Sequence, residues 1–175
     1  MSETDINTND SIPPGFTLRH TLRGQHKDKI LQIAWSPNGE VLASGSYDRT
    51  LCLWNAQTGQ HLRNLTGHTY WVMSLAWSPD GLILASGSSE HKIRLWNTQN
   101  GKLLRTLTEH EGDIESLAWS PDGIMLASGS YDKTICLWKP YTGKLVRTLK
   151  KHSSVVMNVA WSTMEKCLPL APPLK

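Results

Sequence analysis

Short apolar segments alternate with turn residues along most of the chain. In the first third, the runs Ile30–Trp35, Val41–Ser46, Thr50–Trp54 and His61–Leu65 are rich in Val, Ile, Leu and Trp, and Gly, Pro, Asn and Asp separate them. Runs of about four to eight residues bounded by turn residues are typical of β-strands rather than of helices. The pattern therefore predicts four consecutive strands in this part of the chain.

The same pattern recurs with a fixed period. An offset of 42 residues aligns four histidines, four tryptophans on the first predicted strand and three on the third. The aligned residues are His26, His68, His110 and His152, then Trp35, Trp77, Trp119 and Trp161, and finally Trp54, Trp96 and Trp138. A period in the forties is typical of propeller or solenoid arrays, whose units bury their apolar faces against one another.

A tight turn joins the first two strands of each copy. The turn reads Ser-Pro-(Asn or Asp)-Gly at 36–39, 78–81 and 120–123. Proline presets φ for the second turn position, and glycine accepts the left-handed conformation that closes the hairpin. Each copy is therefore predicted to be a four-stranded antiparallel meander.

These residues resemble the WD-repeat β-propeller family. A histidine opens each copy, Leu-Ala-Ser-Gly-Ser stands on the second strand, and a hydrophobic residue followed by x-Leu-Trp stands on the third. The resemblance covers about residues 16–162. It implies an all-β fold with blades at 26–65, 68–107 and 110–149, followed by a partial copy at 152–162.

Three complete blades are too few for a ring, because closed propellers have roughly four to eight. Phe16–Leu22 matches the fourth strands, and Thr163 breaks the repeat where proline is expected. We therefore expect three blades and flanking strands in an open arc, between a disordered segment at 1–15 and an aberrant tail at 163–175. Such an arc fits a fragment of a longer protein or half of an assembly, and its exposed ends favour self-association.

The resemblance also implies a hydrogen-bonded chain inside each blade. It would join the histidine, the acid of the tight turn, a serine of the second strand and the tryptophan of the third strand. The matching residues are His26, Asp48, Ser44 or Ser46, and Trp54 in the first blade; His68, Glu90 and Trp96 in the second; and His110, Asp132, Ser128 or Ser130, and Trp138 in the third. Because glutamate replaces aspartate in the second blade, we expect its chain to be longer and less well satisfied, and that blade to be the loosest.

Candidate binding residues are those that vary while the surrounding frame repeats. Packing constrains the constant positions and leaves the variable ones free for partners. By similarity to the family they lie near the entrance face of the ring, where propellers bind peptides, and their aromatic character is typical of interface hot spots. An alternative for the central tryptophan is simple packing on the neighbouring blade. The candidates are Lys29, Tyr47, Tyr70, Trp71, Met73, Asp113, Glu115 and Tyr131.

Composition gives little support to other classes of function. The formal charge is +3, from 18 basic and 15 acidic residues, which is too small to indicate a nucleic-acid or membrane partner. No apolar run approaches the roughly 20 residues of a membrane helix. Three cysteines form no disulfide framework, which favours a reduced, cytoplasmic setting. Basic residues of the outer strands, such as Lys102 and Lys144, are interpreted as guards against strand pairing.

Catalytic motifs are missing from the sequence. It contains no Walker loop and no G-x-S-x-G, and the histidines stand on separate blades, where they need not converge on one metal ion. A catalytic thiol would need a histidine partner, and the sequence places none beside Cys52 or Cys136. We therefore expect no enzyme activity, no cofactor and no metal site.

The leading hypothesis is a non-catalytic scaffold that docks a partner protein or peptide. The alternative is a regulatory or sensor propeller of a larger signalling enzyme, an NTPase or a kinase, whose catalytic domain is encoded elsewhere. Sequence beyond the chain would discriminate between the two hypotheses.

Overall fold

The computed structural model describes residues 19–162 of the chain, and the predictions for 1–15 and 163–175 lie outside this range. Twelve β-strands make up the described part, which contains no helix and thus none long and apolar enough to span a membrane. The strands are β1 Ile30–Trp35, β2 Val41–Ser46, β3 Leu51–Asn55, β4 His61–Leu65, β5 Val72–Trp77, β6 Ile83–Ser88, β7 Lys92–Asn97, β8 Leu103–Thr108, β9 Ile114–Trp119, β10 Leu126–Ser130, β11 Ile135–Lys139 and β12 Lys144–Leu149.

The strands form three separate four-stranded antiparallel sheets, each in chain order. The predicted all-β fold is therefore confirmed. In the first sheet, β1, β2 and β4 have the predicted bounds, while β3 begins and ends one residue later than predicted. The Ser-Pro-x-Gly turns link the first two strands of each sheet, and Gly39, Gly81 and Gly123 each have a φ of +72°.

The sheets pack face to face as successive blades, with the innermost strands β1, β5 and β9 side by side. Leu51, Leu65 and Val72 are fully buried between the first and second blades. Ile93 and Ile114 are buried in the same way between the second and third. The core thus lies between the sheets, because each sheet is apolar on both faces and cannot bury them alone.

A tryptophan on each of the inner strands β5 and β9 ties its blade to the one before it. The indole nitrogen of Trp77 donates to the carbonyl of Ala34 at 3.0 Å, and that of Trp119 donates to Ala76 at 3.1 Å. Trp35 has no preceding blade in the described part of the chain, and 57% of its surface is exposed against 8% for Trp119. The described blades therefore form an open arc with an apolar face at its first end.

The segments before and after the three sheets were predicted to contain strands, but their described residues form none. Residues 19–22 are in no strand, and neither are 152–162. The second segment nevertheless follows the path of an inner strand, since the main-chain nitrogen of Val156 donates to Ser130 at 3.0 Å and the indole of Trp161 donates to Ala118 at 2.9 Å. It forms no ladder because its own blade offers no second strand within the described residues.

Candidate functional site on the entrance face

A chain of side-chain hydrogen bonds crosses the first blade. The indole nitrogen of Trp54 donates to Ser44 Oγ at 3.0 Å, Ser44 Oγ lies 2.8 Å from His26 Nε2, and His26 Nδ1 lies 2.9 Å from the Asp48 carboxylate. Of the two candidate serines, Ser44 is the member of the chain. Ser46 Oγ instead donates to the Asp28 carbonyl in the loop before β1 and accepts from the Asp48 main-chain N–H in the turn.

The third blade repeats this arrangement. Trp138 donates to Ser128 Oγ at 2.9 Å, and His110 lies 2.7 Å from both Ser128 Oγ and the Asp132 carboxylate. The serine oxygen accepts from the indole and shares a hydrogen bond with Nε2, and Nδ1–H donates to the carboxylate. Both ring nitrogens are therefore occupied. No group of three or more His, Cys, Asp or Glu residues within 19–162 is placed to hold a metal ion.

The second blade closes its chain as tightly as the others. Trp96 donates to Ser86 Oγ at 2.8 Å, His68 Nε2 lies 2.7 Å from that oxygen, and His68 Nδ1 lies 2.6 Å from the Glu90 carboxylate. The expectation of longer bonds was wrong. The extra methylene of Glu90 is taken up by the path of its side chain, and the second carboxylate oxygen accepts from Thr69 Oγ1 at 2.6 Å.

Arg94 is the residue that the sequence argument missed. It stands where the other blades have Cys52 and Cys136, and its Nη2 pairs with Glu90 at 3.3 Å. Its Nη1 fills the space beside Gly67, where the Cβ of any other residue would overlap it. The equivalent positions in the other copies carry side chains, Gln25 and Glu109.

Unpartnered polar atoms occur in the second blade outside this hydrogen-bonded chain. Arg94 Nε and Ser89 Oγ are the buried side-chain polar atoms without a hydrogen-bond partner in the described part, and both belong to the second blade. Each such atom costs stability because its hydration is lost and not replaced.

Hydrogen bonding and burial shift the pKa values of the acids and of the second-blade histidine in these chains. Burial opposes ionisation of Asp48 and Asp132, but the hydrogen bonds to each carboxylate outweigh it and lower both pKa values to about 2. Burial also disfavours the charged form of His68 and, against the pull of Glu90, lowers its pKa to about 4. At neutral pH the second blade therefore holds a neutral imidazole beside a carboxylate.

The cysteines lie closer to histidines than the sequence indicated. Cys52 Sγ is 3.8 Å from His26 Nδ1, and Cys136 Sγ is 4.0 Å from His110 Nδ1. Both thiols are buried, and burial raises the pKa of Cys52 to about 12. These thiols are therefore protonated at neutral pH, and the neighbouring Nδ1 atoms already donate to carboxylates.

Each hydrogen-bonded chain ties two loops together at one end of its blade, the entrance face. The histidine lies in the loop before the inner strand, and the acid lies in the turn between the second and third strands. Main-chain bonds then place the candidate residues side by side: Tyr47 donates to Lys29 at 2.9 Å, and Tyr131 donates to Asp113 at 2.9 Å. The candidate binding residues are therefore held by a repeated rigid frame.

The first two blades bring three of the candidates into one cluster. The rings of Tyr47 and Trp71 lie 4.3 Å apart between centroids at an angle of 45°, and Lys29 Nζ lies 5.8 Å from the Tyr47 ring centre. Trp71 remains 44% exposed. It thus packs on the neighbouring blade, as the alternative expected, and part of its indole is still exposed to solvent. Tyr70 lies beside it and is also exposed.

The third blade supplies acidic groups. Asp113 Oδ1 lies 3.7 Å from His91 Nε2 across the seam between the blades. Glu115, on β9, is half-buried, and burial together with the Asp113 charge raises its pKa. Met73 is half-buried at the equivalent position of β5, and Tyr131 is 61% exposed.

Comparison with known proteins agrees with this architecture. The family model described as the WDR19 first beta-propeller matches residues 31–171. The chain belongs to this WD-repeat propeller family. Two solved WD-repeat structures cover 79% of the chain at a TM-score of 0.77 and 28% identity: the structure of U3-55K and the crystal structure of the RRP9 WD40 repeats. The chain spans 44% and 43% of those two proteins.

Curated relatives are similar over shorter stretches. The nuclear distribution protein PAC1 of Coprinopsis cinerea is 49% identical over 49 residues, which are 25% of this chain and 11% of that protein. The WD repeat-containing protein VIP3 of Arabidopsis thaliana is 38% identical over 58 residues, which are 33% of this chain and 18% of that protein. The chain thus spans less than a fifth of these two relatives.

Proposed function

We propose that this chain is a non-catalytic scaffold that docks a partner protein or peptide on its entrance face. WD-repeat propellers are in general protein-interaction domains. The observation that carries the proposal is the exposed aromatic cluster of Tyr47, Trp71 and Tyr70 on a frame that otherwise repeats almost unchanged. Partly exposed tryptophan and tyrosine side chains held by rigid loops lose little entropy on binding, which is why they are frequent hot spots.

The charges on this face suggest the chemistry of the partner. The first blade presents Lys29, whereas the third presents Asp113 and Glu115 beside Tyr131. A segment with an apolar or aromatic side chain over Trp71 and a basic side chain toward the third blade would complement both features. The second hypothesis, a regulatory part of a kinase or NTPase, has no support from the names of the relatives above.

Variants on the two surfaces test this proposal. Bait proteins would be wild type, Trp71→Ala, Tyr131→Ala, and the matched control Lys102→Ala with Lys144→Ala, which lie just before β8 and at the start of β12. Loss of a buried aromatic anchor typically costs about 2 kcal/mol or more, which is roughly a thirtyfold loss of affinity. For any partner recovered and then measured by calorimetry, we expect this loss with the aromatic variants only. Binding that survives both aromatic changes but fails with the lysine pair would reject the entrance face.

A further inference from the structure

Three apolar side chains of β1 make up an open face at the first end of the arc. Ile30, Ile33 and Trp35, the first-end face, are each more than half exposed. Their counterparts in the second and third blades, apart from the half-buried Trp77, are buried where those blades pack on the blade before. The buried counterparts are Val72, Leu75, Ile114, Leu117 and Trp119. The first-end face therefore has the residues of a seam between blades, without the blade that would cover them.

One hydrogen bond recurs at every seam of the described arc. The indole of an inner-strand tryptophan donates to the carbonyl of the alanine that directly precedes the equivalent tryptophan one period earlier. Trp77, Trp119 and Trp161 donate in this way at 3.0, 3.1 and 2.9 Å. Within residues 19–162 the series leaves one unmatched group at each end. These groups are the indole nitrogen of Trp35, which has no acceptor, and the carbonyl of Ala160, which has no donor.

Residues 152–162 form the other end of the arc. Val156 is buried beside Gly129 of the third blade, as Val72 is buried beside Gly45 one seam earlier. Ala160 is exposed. Because the segment keeps the contacts of an inner strand, the Ala160 carbonyl is directed to the place of a following blade. This end therefore offers an inner strand with a free acceptor.

Residues 19–22 take the place of an outer strand beside the first blade. The ring of His20 fills the space next to Gly59. At the following seam the equivalent space, next to Gly101, is filled by Arg63 of the outer strand β4. In the described part of the chain, the position ahead of the first blade thus has the path of an outer strand and lacks an inner one. The position after the third blade has the path of an inner strand and lacks an outer one.

We propose that a second copy of this chain docks its segment 152–162 on the first-end face. Ala160 of the second copy would accept a hydrogen bond from Trp35 Nε1, and the segment would supply the inner strand that is missing beside residues 19–22. The occupant is inferred from the unmatched donor and acceptor, from the complementary strands, and from the two internal seams that use the same bond. This contact does not involve the entrance face, so either proposal can fail alone.

Two copies can satisfy both ends at once. Each copy contributes its three sheets and the segment 152–162, which are four positions around an axis. Two copies thus make eight positions, at the upper limit of the roughly four to eight of closed propellers. A contact between two different faces either closes into a ring or extends into a fibre. Because eight positions allow closure, we expect a discrete dimer.

Sedimentation equilibrium of the full chain tests this contact. The mass should rise with concentration from one chain to two and then stay constant, with a dissociation constant of roughly 1–100 µM, because the shared position holds only two strands. Below that concentration the single chain predominates, and Trp35 then adds little to the free energy of unfolding. Trp35→Phe keeps an aromatic ring but removes the donor, and should weaken the dimer roughly three- to tenfold. Tyr70→Phe, at a similarly exposed aromatic residue of the entrance face, should leave the dimer unchanged.

Mixing two blocked variants tests whether unlike ends meet. Ile33→Glu blocks the first end and Ala160→Glu blocks the other, so each variant alone should be a single chain. Both positions are exposed, and an unchanged circular dichroism spectrum would show that each variant folds. The mixture retains one intact contact and should show a two-chain mass at high concentration. A single-chain mass of the wild type at every concentration, a dimer that persists in either variant alone, a mass that keeps growing, or no recovery in the mixture would each overturn the proposal.

Discussion

Replacing Gly67 by alanine should destabilise the second blade through Arg94. The new methyl group would overlap Arg94 Nη1 and lie 3.4 Å from the Trp96 ring, and Gly67 has a φ of +147°, where side chains are strained. The guanidinium is the far end of a flexible side chain and can move. Moving it breaks the 3.3 Å ion pair with Glu90, whose side chain is almost fully buried.

Two contributions make up the expected loss. An alanine in this backbone region costs about 1 kcal/mol or more. Losing a largely buried charge-assisted bond costs about 1–2 kcal/mol. We therefore expect Gly67→Ala to lower the free energy of unfolding by about 2–3 kcal/mol, measured by urea denaturation with tryptophan fluorescence.

A double-mutant cycle isolates the contact. Arg94→Cys restores the residue that the other blades carry at this position, so the methyl group then meets a small side chain. In that background Gly67→Ala should cost only the backbone part, which leaves a coupling energy of about 1 kcal/mol or more. Glu109→Ala, at the same position of the third blade, is the matched control and should be nearly neutral. Equal costs of Gly67→Ala in both backgrounds would refute the idea that Arg94 requires this glycine.

Three further predictions concern the blade frame. His110→Ala should cost about 1–3 kcal/mol in denaturant unfolding because it strands the buried Ser128 hydroxyl; a neutral result would contradict the hydrogen-bonded chain. The pKa of His68 falls from its ordinary 6.5 to about 4 on folding, so the unfolded chain binds the proton first, and stability should drop as pH falls from 6.5 to 4. His68→Gln should flatten that part of the stability profile, and an unchanged slope would argue against a neutral imidazole. Trp119→Ala should cost about 3–5 kcal/mol and Trp35→Ala less than about 1, because only the former is buried between blades; similar losses in thermal melts would be evidence that the arc's first face is covered.

Much of the fold could be predicted because the sequence repeats with a fixed period of 42 residues. Trp35 and Trp77 occupy the same place in each copy, so one strand assignment serves all blades. The flanking segments were predicted less well, because pattern matching at Phe16–Leu22 and 152–162 cannot show whether a partner strand is present. A strand needs a ladder, and the ladder depends on residues outside the segment.

The details of the site depended on geometry that the sequence does not encode locally. Side-chain alternation places Ser44 and Ser46 on the same face of β2, so the choice of Ser44 follows from its position along the strand. Ser44 Oγ reaches both Trp54 and His26, whereas Ser46 ends the strand beside the turn. The coupling of Gly67, Glu90 and Arg94 joins three strands or loops and appears as three unrelated departures from the repeat.

Hydrogen–deuterium exchange of the chain, with and without a bound partner, tests the docking claim most directly. We expect new protection in the entrance-face loops, at residues 66–73, 110–115 and 131–134, with little change in the outer strands β4, β8 and β12. Protection confined to those outer strands, with the loops exchanging as in the free protein, would contradict the entrance-face account.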